Sequence, residues 1–225
     1  MKTIAFIPAK GNSVRIPRKN IMPICGKPLI YYSIKSALKC SLIDEVWIST
    51  EDEQIKKIAL RCGAQVDDRP PSLCGKYIST EEVMIEFAHR KMFDNIVLIQ
   101  ATSPYVTYRD LHESIKMLDE HDSIVSAIHY KRFLWTRNSD NIMVPITHGK
   151  RRLMHQEMNL ETYPYYQENG AFYITKRDIL LVDKCRYGEK IGIYLMKYEK
   201  ELDDFEDISE VTKIMEVLIE KGYWN

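Results

Sequence analysis

The chain has 225 residues, of which 45% are hydrophobic and 28% charged, and this suits one large domain with a substantial core. Its 32 Lys and Arg residues balance its 32 Asp and Glu residues, and this neutrality argues against partners such as nucleic acid or an acidic membrane surface. No apolar run approaches the roughly 18 residues of a membrane span. The apolar start of the chain is too short for a signal peptide. The five cysteines include no CxxC pair, which predicts reduced thiols in a cytoplasmic protein.

Predicted strands and helices alternate from the start of the chain. The run TIAFIP, from Thr3 to Pro8, is apolar and partly β-branched, which is typical of a buried strand. After residues 26–28, LIYYSIKSALKC carries apolar residues at helical spacing, and the strand EVWIST follows. Thr50 and Glu53 form a predicted capping box for the helix EDEQIKKIALRC, which we expect to end at Gly63.

The same alternation continues through the middle of the chain. The segment DRPPSL is a predicted turn, and Ser79 with Glu82 forms a second capping box for the next helix. NIVLIQ, residues 95–100, is another buried strand, after which Thr107 and Asp110 cap a helix that precedes the strand SIVSAI. This repeated alternation indicates βαβ units with right-handed crossovers. We therefore predict a doubly wound α/β fold with a mostly parallel, Rossmann-like sheet.

The alternation stops between about Tyr130 and Pro164, in a stretch rich in basic and aromatic residues. Roughly 35 residues is too long for a plain loop inside a compact domain. We therefore predict an inserted subdomain or arm at about residues 131–165 of a single domain that spans residues 1–225. The strands AFYIT and IGIYLM and a helix from about Ile208 to Lys221 then return the chain to the main fold.

A basic loop, IPAKGNSVRIPRKNI, follows the first predicted strand. Ligands of open α/β sheets bind beyond the carboxyl ends of the strands, so this loop is a candidate anion site. A phosphate ester there would meet backbone N–H groups near Gly11 and Asn12, together with the basic side chains of Lys10, Arg15, Arg18 and Lys19. The loop contains neither a Walker sequence nor the GxGxxG fingerprint, and a solvated basic loop is the alternative interpretation.

Two further segments place polar residues near strand ends. Gln100, at the end of NIVLIQ, can read a base edge or a ribose hydroxyl, whereas the alternative is a plain turn at Ser103-Pro104. The Asn169-Gly170 pair ahead of AFYIT is primarily a turn signal.

An acidic cluster, ELDDFEDISE, follows the last predicted strand. Carboxylate oxygens suit Mg²⁺, which commonly takes one or two of them together with substrate phosphates. Asp207 competes for another role because, with Glu210, it has the spacing of a helix N-cap. In an extended segment Asp204 and Glu206 point the same way, and they are therefore the better metal pair.

Taken together and in this order, these segments resemble the CMP-sialic acid synthetases, which are N-acylneuraminate cytidylyltransferases. The family's first loop typically reads like IPARGGSKGIPxKNI, against IPAKGNSVRIPRKNI here. DRPPSL with Ser79-Thr80, then LIQATSPY, ENGAFYI and the terminal acidic pair also stand in the family's order. No single motif is decisive, but five in register over nearly the whole chain are specific.

The resemblance implies a role for each matching position. Lys10, Lys19 and Asn20 are expected around the CTP phosphates, and Thr80 takes the place of a nucleotide-contacting serine. Three residues of the QATSP segment are expected to face nucleotide and sugar, namely Gln100, Thr102 and Ser103. The residues expected to position the sugar are Asn169, Gly170, Ala171 and Tyr173.

The resemblance also implies a cofactor and a partner. Asp204 and Glu206 fall where the family carries its paired magnesium aspartates, so Mg²⁺ is the expected cofactor. The inserted region resembles the arm through which these enzymes dimerise, with the arm reaching toward the partner's active site. We therefore expect a homodimer.

Several positions depart from the family's pattern. Val14 replaces the first-loop lysine, and Arg15 stands where glycine is usual, so we expect Arg15 to supply the missing charge. Glu206 replaces the second aspartate, and Val106 stands where an arginine often follows the TSP sequence. The family's basic residues of the sugar pocket have no clean match, and the candidates by composition alone are Lys131, Arg132, Arg151 and Arg152. These differences leave the identity of the sugar substrate open.

The implied reaction is attack by the anomeric hydroxyl of a 2-keto-3-deoxy acidic sugar on the α-phosphorus of CTP, with pyrophosphate as the leaving group. Lys10, Arg15 and Lys19 would neutralise the leaving pyrophosphate, so catalysis would depend mainly on positioning and electrostatics. Alternative sugars are the deaminated sialic acid Kdn, legionaminate, pseudaminate and the eight-carbon acid Kdo. A nucleotide-sugar-binding homologue without catalysis is another alternative, and a redox protein is disfavoured because the glycine fingerprint is missing.

Overall fold

Helices cover both faces of a central sheet in the computed structural model, which describes residues 1–12, 16–149 and 152–196 together with residues 212, 215, 216, 219, 220 and 222. Its strands, in chain order, are β1 (Thr3–Pro8), β2 (Pro23–Ile24), β3 (Lys27–Pro28), β4 (Glu45–Thr50), β5 (Gln65–Asp68), β6 (Asn95–Ile99), β7 (Ser123–His129), β8 (Trp135–Arg137), β9 (Met143–Pro145), β10 (Tyr166–Lys176) and β11 (Ile191–Leu195). Its α-helices are α1 (Leu29–Lys39), α2 (Glu53–Cys62), α3 (Thr80–Arg90), α4 (Tyr108–Lys116) and α5 (Arg177–Val182). Short 3₁₀ turns span Lys19–Ile21, Pro71–Leu73, Met117–Asp119 and His155–Glu157.

The central sheet has the strand order β11-β7-β10-β6-β1-β4-β5. The neighbouring pairs are parallel except that β10 runs antiparallel to both β6 and β7. The predicted doubly wound, mostly parallel sheet is thereby confirmed. From β1 the chain crosses to β4 on one side, whereas β6 lies on the other side of β1, so the strand order switches direction between β1 and β6.

Alternating side chains along the strands form a core on each face of the sheet. On one face Ile7 and Ile48 pack with α1, α2 and α4, where Leu111 is fully buried. On the other face Phe6 packs with α3 and α5, and its ring centroid lies 4.8 Å from that of Phe87. Because both faces are covered, the central strands are apolar throughout, which explains why TIAFIP and NIVLIQ are recognisable from sequence.

Two of the three predicted capping boxes, at Ser79 and Thr107, are confirmed. The third is wrong, because Asp52 and not Thr50 is the N-cap of α2, and its Oδ1 accepts hydrogen bonds from two backbone N–H groups of the first turn at 2.8 and 2.9 Å. Thr50 is the last residue of β4, so the sheet fixes its backbone. The helix ends as predicted at Gly63, whose φ of 95° is the left-handed conformation that glycine adopts after helices.

Strand β10 is longer than the segment AFYIT and begins at Tyr166. The predicted turn at Asn169-Gly170 is therefore wrong, since both residues lie inside the strand. They occupy a register shift against β7, between Glu168 and Tyr173. Gly170 has a φ of 64°, a conformation that favours glycine at such an irregularity.

Residues 130–165, where the sequence predicts an arm, contain the antiparallel hairpin β8–β9. At the base of this region Tyr163 is buried, and its hydroxyl donates a hydrogen bond to the Arg132 carbonyl at 2.7 Å. The hairpin exposes large apolar side chains, including 54% of Trp135 and 50% of Met143. The helix predicted at about residues 208–221 falls mainly outside the described residues. Among the described residues, no helix is both long enough and apolar enough to cross a bilayer.

Candidate active site

A cleft of about 220 Å³ lies beside the carboxyl ends of β1 and β6, at the switch point of the strand order. The loop after β1, the residue after β5, the start of α3 and the residue after β6 all contribute to its wall. The lining residues are Pro8, Lys10, Asn20, Arg69, Ile78, Ser79, Thr80, Val83 and Gln100. Four predicted site residues, Lys10, Asn20, Thr80 and Gln100, are thus brought together in one cavity.

The basic loop is held by hydrogen bonds to the peptide bond between Lys10 and Gly11. The Asn20 amide nitrogen donates to the Lys10 carbonyl at 2.9 Å, and the Gly11 N–H donates to the Glu51 carboxylate at 2.8 Å. The Lys10 ammonium donates to the Gly75 carbonyl at 2.9 Å. The Gly11 N–H that the sequence assigns to a phosphate therefore meets a carboxylate in this structure, while Asn12 is exposed.

The later part of the loop turns toward α2. Arg18 has a left-handed φ of 58°, donates to the Gln54 side chain at 2.7 Å and lies 3.4 Å from the Asp52 carboxylate. Lys19, which is half-buried, begins the 3₁₀ turn that carries Asn20. Arg15 lies outside the described residues, so its predicted role stays a prediction.

Arg69 is a buried cation of the cleft that sequence reasoning missed. The residue is 4% exposed, and its guanidinium donates to the Ser49 carbonyl at 2.6 Å and to the Ser49 hydroxyl at 3.3 Å. Burial lowers the pKa of the Arg69 guanidinium, and the nearby Glu51 carboxylate opposes this shift. Arg69 stands in the DRPPSL segment, whose prolines predict a turn but do not reveal which cation the turn buries.

The N-terminal end of α3 faces the cleft through Ser79 and Thr80. The capping box orders this end, since the Ser79 hydroxyl accepts from the Glu82 N–H at 3.2 Å and the Ser79 N–H donates to the Glu82 carboxylate at 2.7 Å. Ser79 is thereby largely committed to the helix. Thr80, the first residue of α3, lines the cleft and is half-buried. The helix N-terminus adds a partial positive charge that favours an anionic ligand.

The QATSP segment fixes Gln100 through its backbone. The Gln100 N–H donates to the Ala171 carbonyl at 3.0 Å, and its carbonyl accepts from the Ser33 hydroxyl at 3.2 Å and from the Ser103 N–H at 3.0 Å. Thr102 is half-buried and Ser103 is buried in the resulting turn. Gln100 therefore lines the cleft from a well-anchored backbone.

Asn169 has its amide group inside the fold. Its Oδ1 accepts from the Ser126 hydroxyl at 2.8 Å and from the Ala171 N–H at 3.2 Å, and its Nδ2 lies 3.0 Å from the Met196 sulfur. Asn169, Gly170 and Ala171 are all buried. These three predicted sugar residues form the irregular part of β10, so the structure gives them a role in strand geometry.

Tyr173 belongs to a cluster of polar side chains next to the start of α3. The hydroxyls of Tyr173 and Tyr187 donate to the Glu168 carboxylate at 3.1 and 3.2 Å. Arg186 lies 4.4 Å from the Tyr173 ring centroid, and its Nε donates to Glu81 at 2.5 Å. Burial and the Glu168 charge raise the pKa of Tyr173 above its ordinary value, so the phenol stays a hydrogen-bond donor near neutral pH. Only Tyr173 of this cluster is predicted from sequence.

The predicted metal pair, Asp204 and Glu206, lies outside the described residues, as does Arg151. Within the part of the chain that the structure describes, no group of three or more His, Cys, Asp or Glu residues could hold a metal ion. Of the other basic candidates for the sugar pocket, Lys131 and Arg132 precede β8, and Arg152 lies 4.3 Å from the Phe133 ring centroid.

A larger cavity of about 500 Å³ lies between α4 and β11 and is lined by residues such as Asp110, His112 and Tyr194. None of the predicted site residues lines it. We place the candidate site at the smaller cleft because the loops at the switch point converge there and because it combines Lys10 with Arg69.

Comparison with known proteins identifies the family. Residues 4–221 match the family described as cytidylyltransferase. The chain belongs to the cytidylyltransferase family. The resemblance to the CMP-sialic acid synthetases is confirmed by N-acylneuraminate cytidylyltransferase A of Danio rerio, which is 33% identical over 212 residues, or 91% of this chain.

Other cytidylyltransferases match over nearly their full length. The pseudaminic acid cytidylyltransferase of Campylobacter jejuni is 32% identical, and the match covers 96% of each chain. The CMP-N,N'-diacetyllegionaminic acid synthase of Legionella pneumophila is 30% identical over 96% of this chain and 97% of the relative. In contrast, the chain spans 48% of the length of the Danio rerio protein.

Solved structures confirm the nucleotidyltransferase fold. The CMP:2-keto-3-deoxy-manno-octonic acid synthetase complexed with CTP superposes with a TM-score of 0.73 at 19% identity, covering 96% of this chain and 99% of the other. The 4-diphosphocytidyl-2C-methyl-D-erythritol synthase of Anaerococcus prevotii superposes with a TM-score of 0.70 at 12% identity, and the match covers 96% of each chain. At these identities the likeness concerns the fold.

Proposed function

We propose that this cytidylyltransferase activates a nonulosonic, sialic-acid-type sugar by converting CTP and the sugar into the CMP-sugar and pyrophosphate. The observation that carries the proposal is the cleft at the switch point, where Lys10, Arg69, Thr80 and Gln100 line one cavity. Family membership supports the reaction type, and the named activities of the Danio rerio, Campylobacter jejuni and Legionella pneumophila relatives support the sugar class.

The cleft would hold the nucleotide. Lys10 and Arg69 would face the triphosphate, with Lys19 and Arg15 contributing from the same basic loop. The start of α3 at Thr80 would add backbone dipoles to this anionic site. Gln100 would read the nucleoside, since amide side chains pair with base edges and hydroxyls.

The polar cluster around Glu168 would face the sugar. It adjoins α3, because Glu81 follows the cleft residue Thr80 directly and pairs with Arg186. The Glu168 carboxylate and the hydroxyls of Tyr173 and Tyr187 offer partners for the hydroxyl and acylamino groups of a nonulosonic acid. In this proposal Asn169, Gly170 and Ala171 act indirectly by shaping β10.

Mg²⁺ is the proposed cofactor, held by Asp204 and Glu206. Two carboxylates at alternate positions form a donor set of hard oxygens, which fits this cation. When bound, the ion supplies positive charge that neutralises phosphate oxygens.

The chemistry is a displacement at the α-phosphorus of CTP. The anomeric oxygen would form the new P–O bond and its proton would pass to water, while the bond between the α-phosphorus and the β-phosphate oxygen breaks and pyrophosphate leaves. Charge shifts onto the leaving pyrophosphate, so the ammonium of Lys10 and the guanidinium of Arg69 would stabilise the transition state more than the ground state. The residues of the cleft thus act mainly by positioning and electrostatics.

Pyrophosphate release tests the proposal. The assay contains CTP and Mg²⁺ with N-acetylneuraminate, Kdn, legionaminate, pseudaminate and Kdo in parallel. We expect release with one nonulosonic acid, a fall of about 100-fold in Lys10→Ala, which removes one charge-stabilising group, and loss of activity in Asp204→Ala. Lys57→Ala, which removes an exposed lysine of α2, is the matched control and should keep full activity.

The same assay separates the alternatives. Pyrophosphate release with Kdo alone would make that eight-carbon acid the proposed substrate. CTP binding without release for any sugar would instead favour a nucleotide-sugar-binding homologue without catalysis. Full activity in Lys10→Ala would contradict the assignment of the cleft.

We further propose a cytoplasmic homodimer. The exposed apolar side chains of the β8–β9 hairpin support pairing with a second copy. The five cysteines are all free thiols, which supports a reducing compartment.

A further inference from the structure

The peptide unit between Lys10 and Gly11 is hydrogen-bonded at both its carbonyl and its N–H. Asn20 donates to its carbonyl at 2.9 Å, and Glu51 accepts from its N–H at 2.8 Å. Because a peptide unit is planar, hydrogen bonds on its two opposite edges fix its rotation about the chain. Asn20 and Glu51 therefore restrict the direction in which the Lys10 side chain leaves the backbone. In this structure the Lys10 ammonium donates to the Gly75 carbonyl at 2.9 Å.

Gly11 is confined from a third side by Asp52. A Cβ atom on Gly11 would lie 2.6 Å from Asp52 Oδ2 and 2.7 Å from Asp52 Cβ, which is closer than real side chains approach. Glu51 and Asp52 directly follow β4, the parallel neighbour of β1. The junction between β4 and α2 thus extends the support of the sheet beyond the end of β1 to the first residues of the basic loop.

The two side chains that bind this peptide are buried to different extents, since Asn20 is buried and Glu51 is half-buried. The Oε2 atom of Glu51 is buried without a hydrogen bond from any described residue. The electrostatic attraction between Glu51 and the Arg69 guanidinium helps the carboxylate to tolerate this position. Water could satisfy an exposed loop peptide, so its hydrogen bonds to a buried amide and to a half-buried carboxylate indicate that the orientation of this peptide matters.

We propose that Glu51 and Asn20 are positioning residues of the nucleotide site, which act through the Lys10–Gly11 peptide to aim the Lys10 ammonium at the nucleotide phosphates. The inference rests on the proposed function. It gives Asn20 an indirect role in addition to the phosphate contact that the resemblance implies. It also assigns a role to Glu51, which none of the sequence motifs includes.

Three substitutions at Glu51 distinguish the effect of its side-chain length from the effect of its charge. Glu51→Gln keeps an oxygen acceptor at the same distance but removes the charge. Glu51→Asp keeps the charge but shortens the side chain by one methylene, and Glu51→Ala removes both. Glu53→Gln, in the first turn of α2 and with its side chain 73% exposed, is the matched control for a lost carboxylate.

We expect KM for CTP to rise about 10-fold in Glu51→Ala and in Glu51→Asp, the size expected when one buried hydrogen bond is lost. Glu51→Gln should stay within about threefold of the wild-type KM, and Glu53→Gln should equal the wild type. Circular dichroism and thermal unfolding check that each variant folds. If Glu51→Ala does not fold, the comparison of Gln with Asp still decides the question.

Amide hydrogen exchange at Gly11, measured by NMR on the full chain without nucleotide, tests the geometry independently of any activity. We expect the Gly11 amide to exchange about 10-fold faster in Glu51→Asp than in the wild type and in Glu51→Gln. Equal exchange in all variants would overturn the inference. A loss of CTP affinity in Glu51→Gln without a loss in Glu51→Asp would also overturn it, because charge would then matter and not the peptide contact.

Failure of the proposed function is distinguishable from failure of this inference. A wild-type protein that releases no pyrophosphate with any sugar removes the proposed function. Exchange at Gly11 and the dissociation constant for CTP then still show whether Glu51 orients the loop. A dissociation constant unchanged in Glu51→Asp would overturn the positioning role.

Discussion

At the scale of single residues, Asn169 offers a test between a structural and a substrate-binding role. We expect Asn169→Ala to lower the free energy of unfolding by about 1–3 kcal/mol, because the buried Ala171 N–H would lose its acceptor. Urea unfolding measures this change. Gln65→Ala, which removes an exposed amide from β5, is the control and should leave the unfolding free energy nearly unchanged. A normal unfolding free energy combined with a raised KM for the sugar would contradict the structural role.

The residues of the cleft differ in how visible they are from sequence. Lys10 and Gln100 are predictable because each lies within two residues of the end of an apolar strand, and strand ends are where ligands of this type of sheet bind. Arg69 and Glu51 are not, because their roles depend on β4 lying beside β1 and on β5 lying beside β4 in the sheet. Asn169 is misjudged because Asn-Gly is a turn signal in isolation, whereas the partner Ser126 belongs to another strand.

At the scale of elements, the start of α2 depends on Asp52. We expect Asp52→Ala to lower the free energy of unfolding by about 0.5–2 kcal/mol, the usual effect of losing an N-cap. Asp52→Asn should keep most of the wild-type free energy of unfolding, since asparagine caps helices about as well as aspartate. Chemical denaturation of both variants measures the difference. Equal unfolding free energies for the wild type and Asp52→Ala would show that Asp52 does not stabilise the helix start.

Long periodic elements are predictable here, whereas short and paired ones are not. The strands β1, β4, β6 and β7 and the helices α1 to α4 follow from local patterns of apolar residues. The local sequence pattern does not reveal β5 and α5, which span only four and six residues. It also misses the β2–β3 hairpin, where Cys25 and Gly26 both have positive φ. The irregularity in β10 depends on its pairing with β7 and is not a local property, because Glu168 pairs with Ala127 and Tyr173 with Val125, each more than 40 positions away in the chain.

At the scale of the whole molecule, the sheet brings the arm to the same edge as the cleft. Strand β10 is antiparallel to both β6 and β7, so β7 points in the same direction as β6. The last residue of β7, His129, therefore lies at the carboxyl edge of the sheet. Strand β10 starts at that edge with Tyr166. The 36 residues between them therefore leave and re-enter the domain on the side of the candidate cleft. A second copy bound to the arm would consequently lie close to the active site.

The exposed apolar surface of the β8–β9 hairpin makes the proposed homodimer testable. We expect the wild type to have twice the mass of one chain in size-exclusion chromatography with light scattering. The double substitution Trp135→Glu and Met143→Glu should give monomers, because two carboxylates would be buried in an apolar interface. Leu60→Glu, which changes an apolar side chain that is 61% exposed on α2, should leave the dimer intact. A monomeric wild type with full activity would rule out a dimer as part of the functional enzyme.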